Sequence, residues 1–415
     1  MSIRAPDQSV PVPEPGLTPE AMIERAAALR PRLREEQAAT EERGRYSDDL
    51  HEEFRRAGFY RSLQPRLYGG YQFEVPTYFR VVQEISRGCP STGWMMGVAA
   101  GHALVMGSYF PEQVQAEVFG PGGEFLAASM AAPTGTATPH PEGWRIEGTW
   151  RYCSGAPVAN HFLPSVLVRR DDEPDVVGIA VVPKEQWTML DDWNGFLGLR
   201  GSGSNTISVA GAVVPDTYVV PMDMLDADVD DGTPGSRLHG SPLYGGRLLS
   251  FFHGELIATM SGTVRAALDE YEEIIRTRPG RFAPYGPRYE SPEFQRPFGL
   301  ALGLAEAAEA VMDVAGDRFM AYSRRGFEGG EPFSLKEDMR GLAMLEHAGR
   351  LLWEAGELLF RTAGSSASRE GERLQMYYRD LSVYRQHMSA QYELIAERLA
   401  RLELGLLTRI SRTAD

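Results

Sequence analysis

The stretch GTWRYCSGAPVANHF, from Gly148 to Phe162, decides how the chain must fold. Trp144 to Tyr152 reads as a β-type run that closes on the small residues Cys153, Ser154 and Gly155. A second run, His161 to Val168, follows after a short turn that leaves no room for a helix. Working outward, Phe125 to Met130, Val176 to Val182, Trp187 to Asp191 and Thr206 to Pro215 repeat the pattern between Gly, Pro and Asp breaks. Short strands at close spacing without intervening helices predict an antiparallel sandwich or barrel. Residues 122–240 are therefore read as a β domain, closed by an acidic and then Gly/Pro-rich linker from Asp223 to Gly240.

The periodicity is helical on either side. In residues 17–121, Thr18 followed by Pro19 and Glu20 is a helix start, and Met22, Ala26, Leu29 and Leu33 recur at helical spacing. Asp48 to Ala57, Pro76 to Ser86 and Thr92 to Gly107 give further helices. In residues 241–415, four long amphipathic segments at 247–277, 293–324, 334–363 and 373–408 predict a four-helix bundle. The first 16 residues, with four prolines, read as a flexible arm. The fold class is α+β: a helical domain, a β domain and a helical bundle.

The chain has 415 residues, enough for about three domains. With 42 Lys and Arg against 57 Asp and Glu, its net charge of −15 repels phosphate backbones and anionic lipid. No nucleic-acid or membrane partner is expected, and no stretch approaches a membrane span. Cys89 and Cys153 lack zinc spacing and cannot make a disulfide framework, so a cytoplasmic setting and no metal are expected. Gly198, Gly201 and Gly203 have the wrong spacing for a dinucleotide fingerprint and lead into a strand. Redox chemistry would then need electrons from another protein or from the substrate.

Three constellations remain. Trp94, Val98 and His102 share one helical face, with Gly97 and Gly101 leaving space beside it. Strand ends at Ser129 and at Tyr152 to Ser154 offer hydroxyls and backbone N–H groups to the edge of a planar ligand, with Trp or Tyr over its face. Asp380, Tyr384 and His387 fall on one face of the last segment. Core packing, turn chemistry and a structural network account for the same three patterns.

Taken in order, these segments resemble the acyl-CoA dehydrogenase superfamily. GTWRYCSGAPVANHF is similar to its "G-x-W-x-x-x-S-G-x-x-x-A" strand pair, and FLGLRGSGSNTISVAGAVVP to its "G-L-R-G-T-x-S" strand with the closing "V-P". FRTAG…LQMYYRDL resembles the late "R-x-x-R-D" signature. Gly93, Trp94 and His102, with Arg379, Asp380 and His387, are similar to two-component flavin-dependent monooxygenases of the p-hydroxyphenylacetate 3-hydroxylase and steroid-ring hydroxylase type.

That resemblance implies reduced FMN or FAD supplied by a separate flavin reductase, O2 as co-substrate, a homotetramer, and hydroxylation of an aromatic, phenolic or polycyclic substrate through a C4a-hydroperoxide. It implies that Trp94, Ser129, Tyr152 and Ser154 line the flavin, that His102 and His387 flank the substrate with Ser129 assisting, and that Arg265 or Arg296 meets the flavin phosphate. An imidazole suits the removal of a phenol proton. Cys153 and the charged run from Ser365 to Glu372 depart from the family pattern. The same superfamily holds acyl-CoA desaturases, for which Glu370 or Glu372 is a candidate base, and N-oxygenases of amino sugars.

Overall fold

The computed structural model describes residues 10–120, 123–170, 173–280 and 286–410. Seven helices come first: α1 (Pro19–Ala28), α2 (Arg30–Glu35), α3 (Gln37–Arg43), α4 (Asp48–Ala57), α5 (Val75–Gly88), α6 (Pro90–Tyr109) and α7 (Glu112–Phe119). Thr18 caps α1 by accepting from the Ala21 N–H, as its sequence context predicts, and Gly58 ends α4 in the left-handed region. The apolar helix α6 is buried along almost its whole length. A helix apolar on every face belongs inside a protein, and α6 forms the floor on which the other layers meet. No described helix is long and apolar enough to cross a membrane.

Eight strands follow: β1 (Ala127–His140), β2 (Gly143–Cys153), β3 (His161–Val168), β4 (Val176–Ala180), β5 (Val182–Pro183), β6 (Thr188–Met189), β7 (Asn205–Val214) and β8 (Val219–Val220). Their order is β6-β7-β2-β1-β3-β4-β8, with β5 on β3. The sheet is mixed: β1 and β3 run parallel, Ala127 opposite His161, whereas the other pairs are antiparallel. The strictly antiparallel expectation fails at this pair because β3 crosses to the far side of β1 instead of folding back on β2. β1 also continues through Pro133, where a turn was expected, with a register shift between Met130 and Gly135.

The C-terminal part contains α8 (Pro234–His239), α9 (Leu249–Thr277), α10 (Pro292–Phe327), α11 (Leu335–Ala363), α12 (Arg373–Tyr384) and α13 (Tyr392–Glu403). The first three long helices match the periodicity closely, and Ser334 with Glu337 forms a capping box on α11. Two expectations need correction. The linker contains α8, and the fourth long segment is two helices separated by a break around His387. At the other end, Val10 is already bridged to Tyr68, so the arm is anchored before residue 16.

Candidate active site

The site is assembled where α6, the end of β2, the start of β7 and the α12–α13 break converge. β2 ends irregularly, with its register against β7 shifting between Trp150 and Cys153. The shift puts Tyr152 at a φ of 63°, a conformation few aromatic residues adopt, and leaves its ring 57 % exposed. Ser154 follows, buried. Its Oγ accepts from Trp94 Nε1 at 2.9 Å and bonds to Ser204 Oγ at 2.7 Å, which bonds on to Ser202 Oγ at 2.8 Å. An indole and three hydroxyls thus form one uncharged row beside an open aromatic face.

The loop carrying Ser202 and Ser204 is pinned from α12. Arg379 donates to the Leu197 carbonyl at 2.8 Å and reaches Glu41 of α3 with both carboxylate oxygens at 3.0 and 2.9 Å. Asp380 Oδ1 accepts from the Leu199 N–H at 2.6 Å, supporting Leu199 at a φ of 50°. A side chain at Gly198 would overlap the Arg379 carbonyl, so the loop lies directly on the helix backbone. Burial raises the Asp380 carboxyl to about 7. The Arg-Asp pair is thus a clamp on the loop.

Asp380, Tyr384 and His387 do not act on one face. Asp380 turns to the loop and Tyr384 lies against α11 near Gly349. His387 stands beyond the end of α12, with its ring centroid 5.6 Å from that of Trp94 in a T-shaped contact. The two expected histidines are held in opposite ways. His102 Nδ1 is 2.9 Å from the Ala127 carbonyl and must donate to it, so in the neutral ring Nε2 carries a lone pair. His387 Nδ1 accepts from the Ser389 N–H at 3.1 Å, so in the neutral ring Nε2 carries the proton. Burial lowers both to about 4, keeping them neutral near pH 7.

Ser129 lies in β1, two residues beyond the carbonyl that holds His102, and its hydroxyl donates to the Leu163 carbonyl at 2.7 Å. Arg265 is drawn elsewhere: its guanidinium is ion-paired with Glu309 and Glu306 of α10, and Arg296 is exposed on the same helix. Neither is gathered with Trp94 and Ser154. Of the alternative bases, Glu370 is exposed and Glu372 pairs with Arg278 at 3.0 Å. Cys153 is a buried thiol donating to the Trp150 carbonyl, pushed up by burial to about 12.

Sequence reasoning missed His253, Ser202 and Ser204. His253 is buried on α9, with Nδ1 at 2.8 Å from the Leu249 carbonyl, and the charge of His387 bears on it. A single histidine within the apolar run LSFFHGELIA was the available signal. The serines were in view within a rejected glycine spacing and within the FLGLRGSGSNTISVAGAVVP resemblance, where no role was assigned to them.

Two family patterns match the chain: "Acyl-CoA dehydrogenase, N-terminal domain" over residues 21–121 and "Acyl-CoA dehydrogenase, C-terminal domain" over residues 256–392. The chain is 29 % identical to a pigment production hydroxylase of Rhodococcus sp. (strain ATCC 21145), covering 94 % of this chain and 98 % of that one. It is 27 % identical to the flavin-dependent monooxygenase oxygenase subunit HsaA of Rhodococcus jostii (strain RHA1), over 88 % and 93 % of the two chains. XiaF from Streptomyces sp., solved with FADH2 and glycerol, shares the fold with a TM-score of 0.86 at 23 % identity, over 95 % of this chain and 98 % of that one.

Proposed function

We propose, from the premise that this chain belongs to the acyl-CoA dehydrogenase family and is a flavin-dependent monooxygenase within it, that it hydroxylates a phenolic or polycyclic aromatic substrate with O2 and reduced flavin, His102 taking the phenol proton. The observation that carries this reading is a pair of buried, neutral histidines fixed in opposite tautomers, His387 against Trp94 and His102 about two turns further along the same helix. One imidazole offers a lone pair and the other an N–H.

The residues present fit a flavin ring. Tyr152 offers an open aromatic face, Trp94 and Ser154 an uncharged polar edge, and Ser202 and Ser204 brace Ser154 from behind. Reduced FMN or FAD, delivered by a separate reductase, supplies the electrons for O2 activation when bound. The chain supplies the rest. His102 Nε2 accepts the substrate's phenolic proton, which makes the ring carbon more nucleophilic. His387 Nε2–H donates a hydrogen bond to the substrate from the α12 side, and Ser129 adds a hydroxyl near the β1 end. The apolar length of α6 excludes water, which would otherwise divert reducing power to peroxide.

The test is to mix the protein with reduced FMN or FAD, isotopically labelled O2 and a phenol panel, and to look for label in the product. Bleaching of oxidised flavin by an acyl-CoA without O2, with no label transfer, overturns the reading. Self-association into a homotetramer is part of the proposal. The exposed Leu300 and Val314 lie on one face of α10 that a second copy would cover, and a monomer by light scattering would exclude it. Two buried free thiols suit a cytoplasmic setting.

A further inference from the structure

Among the buried polar atoms of the bundle that find no partner among the described residues, two sit close together on neighbouring helices. Tyr384 and Glu346 are each 3 % exposed, yet the Tyr384 hydroxyl and Glu346 Oε1 have no hydrogen-bond partner among the described residues. Leaving such groups unpaired is costly, and folded proteins rarely do so without a use.

Their position is specific. Tyr384 ends α12, and its hydroxyl rests over Gly349 of α11, where a side chain would meet it at 3.2 Å. Glu346 lies one helical turn earlier on α11, near enough that its charge raises the Tyr384 phenol further after burial has done most of the shift. The two are nonetheless not bonded to each other. α9 and α11 run in the same direction: Ser250 N bonds Asp338 Oδ1 at 2.8 Å, and Ile257 meets Gly349. That register sets His253 within a helical turn of Glu346. With His387 three residues beyond Tyr384 and in edge contact with Trp94, the unsatisfied pair lies on the side of the bundle that faces the candidate site.

We propose that Tyr384 and Glu346 seat a second hydroxyl of the substrate, remote from the ring that is oxygenated. The proposal rests on the monooxygenase reading and narrows its substrate class to aromatic compounds with two separated hydroxyl groups. A hydroxyl accepts from the Tyr384 O–H and donates to the Glu346 carboxylate at once. An apolar edge would leave both groups unpaired, so the seat discriminates against the deoxy analogue.

The experiment uses the full chain loaded with reduced flavin under anaerobic conditions. Calorimetry compares tyrosol with para-ethylphenol, and para,para-biphenol with para-phenylphenol. The dihydroxy member of at least one pair should bind the parent about tenfold tighter or more. Tyr384→Phe and Glu346→Met should each cut that preference to about threefold or less, with a Tm at or above the parent's, because each removes an unpaired buried group. Equal binding within both pairs, a preference that survives both substitutions, or a lowered Tm in both variants overturns the seat. Hydroxylation is assayed separately on admitting O2. A binding preference without oxygen transfer removes the monooxygenase reading and leaves the seat standing.

Discussion

His102 and His387 are buried to a similar degree and pushed to the same value, about 4, yet they stand in different kinds of structure. His102 is inside a continuous helix, and the strand β1 fixes its ring through the Ala127 carbonyl. His387 is where a helix stops, and its own backbone fixes it through the Ser389 N–H. The comparison teaches that burial sets the charge while the local hydrogen bond sets the role. One ring is made an acceptor and the other a donor without either being ionised.

The largest expected effect tests the acceptor. His102→Ala should lower single-turnover hydroxylation by about a hundredfold or more, in the range for loss of a general base, while reduced flavin is still oxidised by O2. An unchanged rate would remove His102 from the mechanism. Next comes the clamp beside His387. Asp380→Ala leaves the Leu199 N–H without its partner and should cost about 1–3 kcal/mol in thermal or denaturant unfolding, together with weaker flavin binding.

The donor side separates by substitution type. His387→Ala should cost about 1 kcal/mol, because the side chain caps the turn from Met388 to Ala390. His387→Asn can keep that cap through its carbonyl oxygen and should recover most of the stability but not the hydroxylation rate. Equal activity of the two variants would make His387 a structural residue.

The pH dependence sharpens the same contrast. A histidine whose folded pKa is lowered from 6.5 to about 4 contributes stability that is complete above 6.5 and lost as pH falls towards 4. The Tm of His387→Asn minus that of the parent should therefore rise as pH drops from 6.5 to 4. The acid limb of kcat/KM should lie nearer 4 than 6.5. Last comes Trp94→Phe, which removes the bond to Ser154 and part of the buried ring packed on His387 and should cost about 1 kcal/mol or more in stability, seen as a fall in Tm.

The same two regions show what was legible in the sequence. α6 could be read because its apolar run and capping context act locally, and Trp94 and His102 fall on one face of it by helical geometry alone. The break at His387 could not be read. Residues 385–391 contain no Pro or Gly, and every position tolerates a helix. The chain leaves the helix where the His387 Nδ1 caps the next turn and its ring meets Trp94, nearly three hundred residues earlier in the sequence. The mixed sheet escaped notice for a related reason. Strand patterning identifies β3 but carries no information on which side of β1 it will pair. Tyr152 and Ser154 were visible as a strand end, but the bulge in β2 that exposes Tyr152 is set by pairing with β7, more than fifty residues later. Arg265 was picked for a phosphate from its position in the sequence, which does not reveal its ion pairs with Glu309 and Glu306 one helix away.

The Arg379–Asp380 clamp also has a consequence for the order of assembly. The sheet is complete in sequence by Val220, but the loop from Gly198 to Ser204 cannot be locked until α12 has been synthesised and docked. Glu41, the other end of the clamp, waits through the making of more than three hundred intervening residues. A contact of that separation is slow to close, so a nascent chain reaches a folded sheet well before it can hold Ser202 and Ser204 in line with Ser154. A chain still being made therefore carries its sheet before it carries the aligned row of serines.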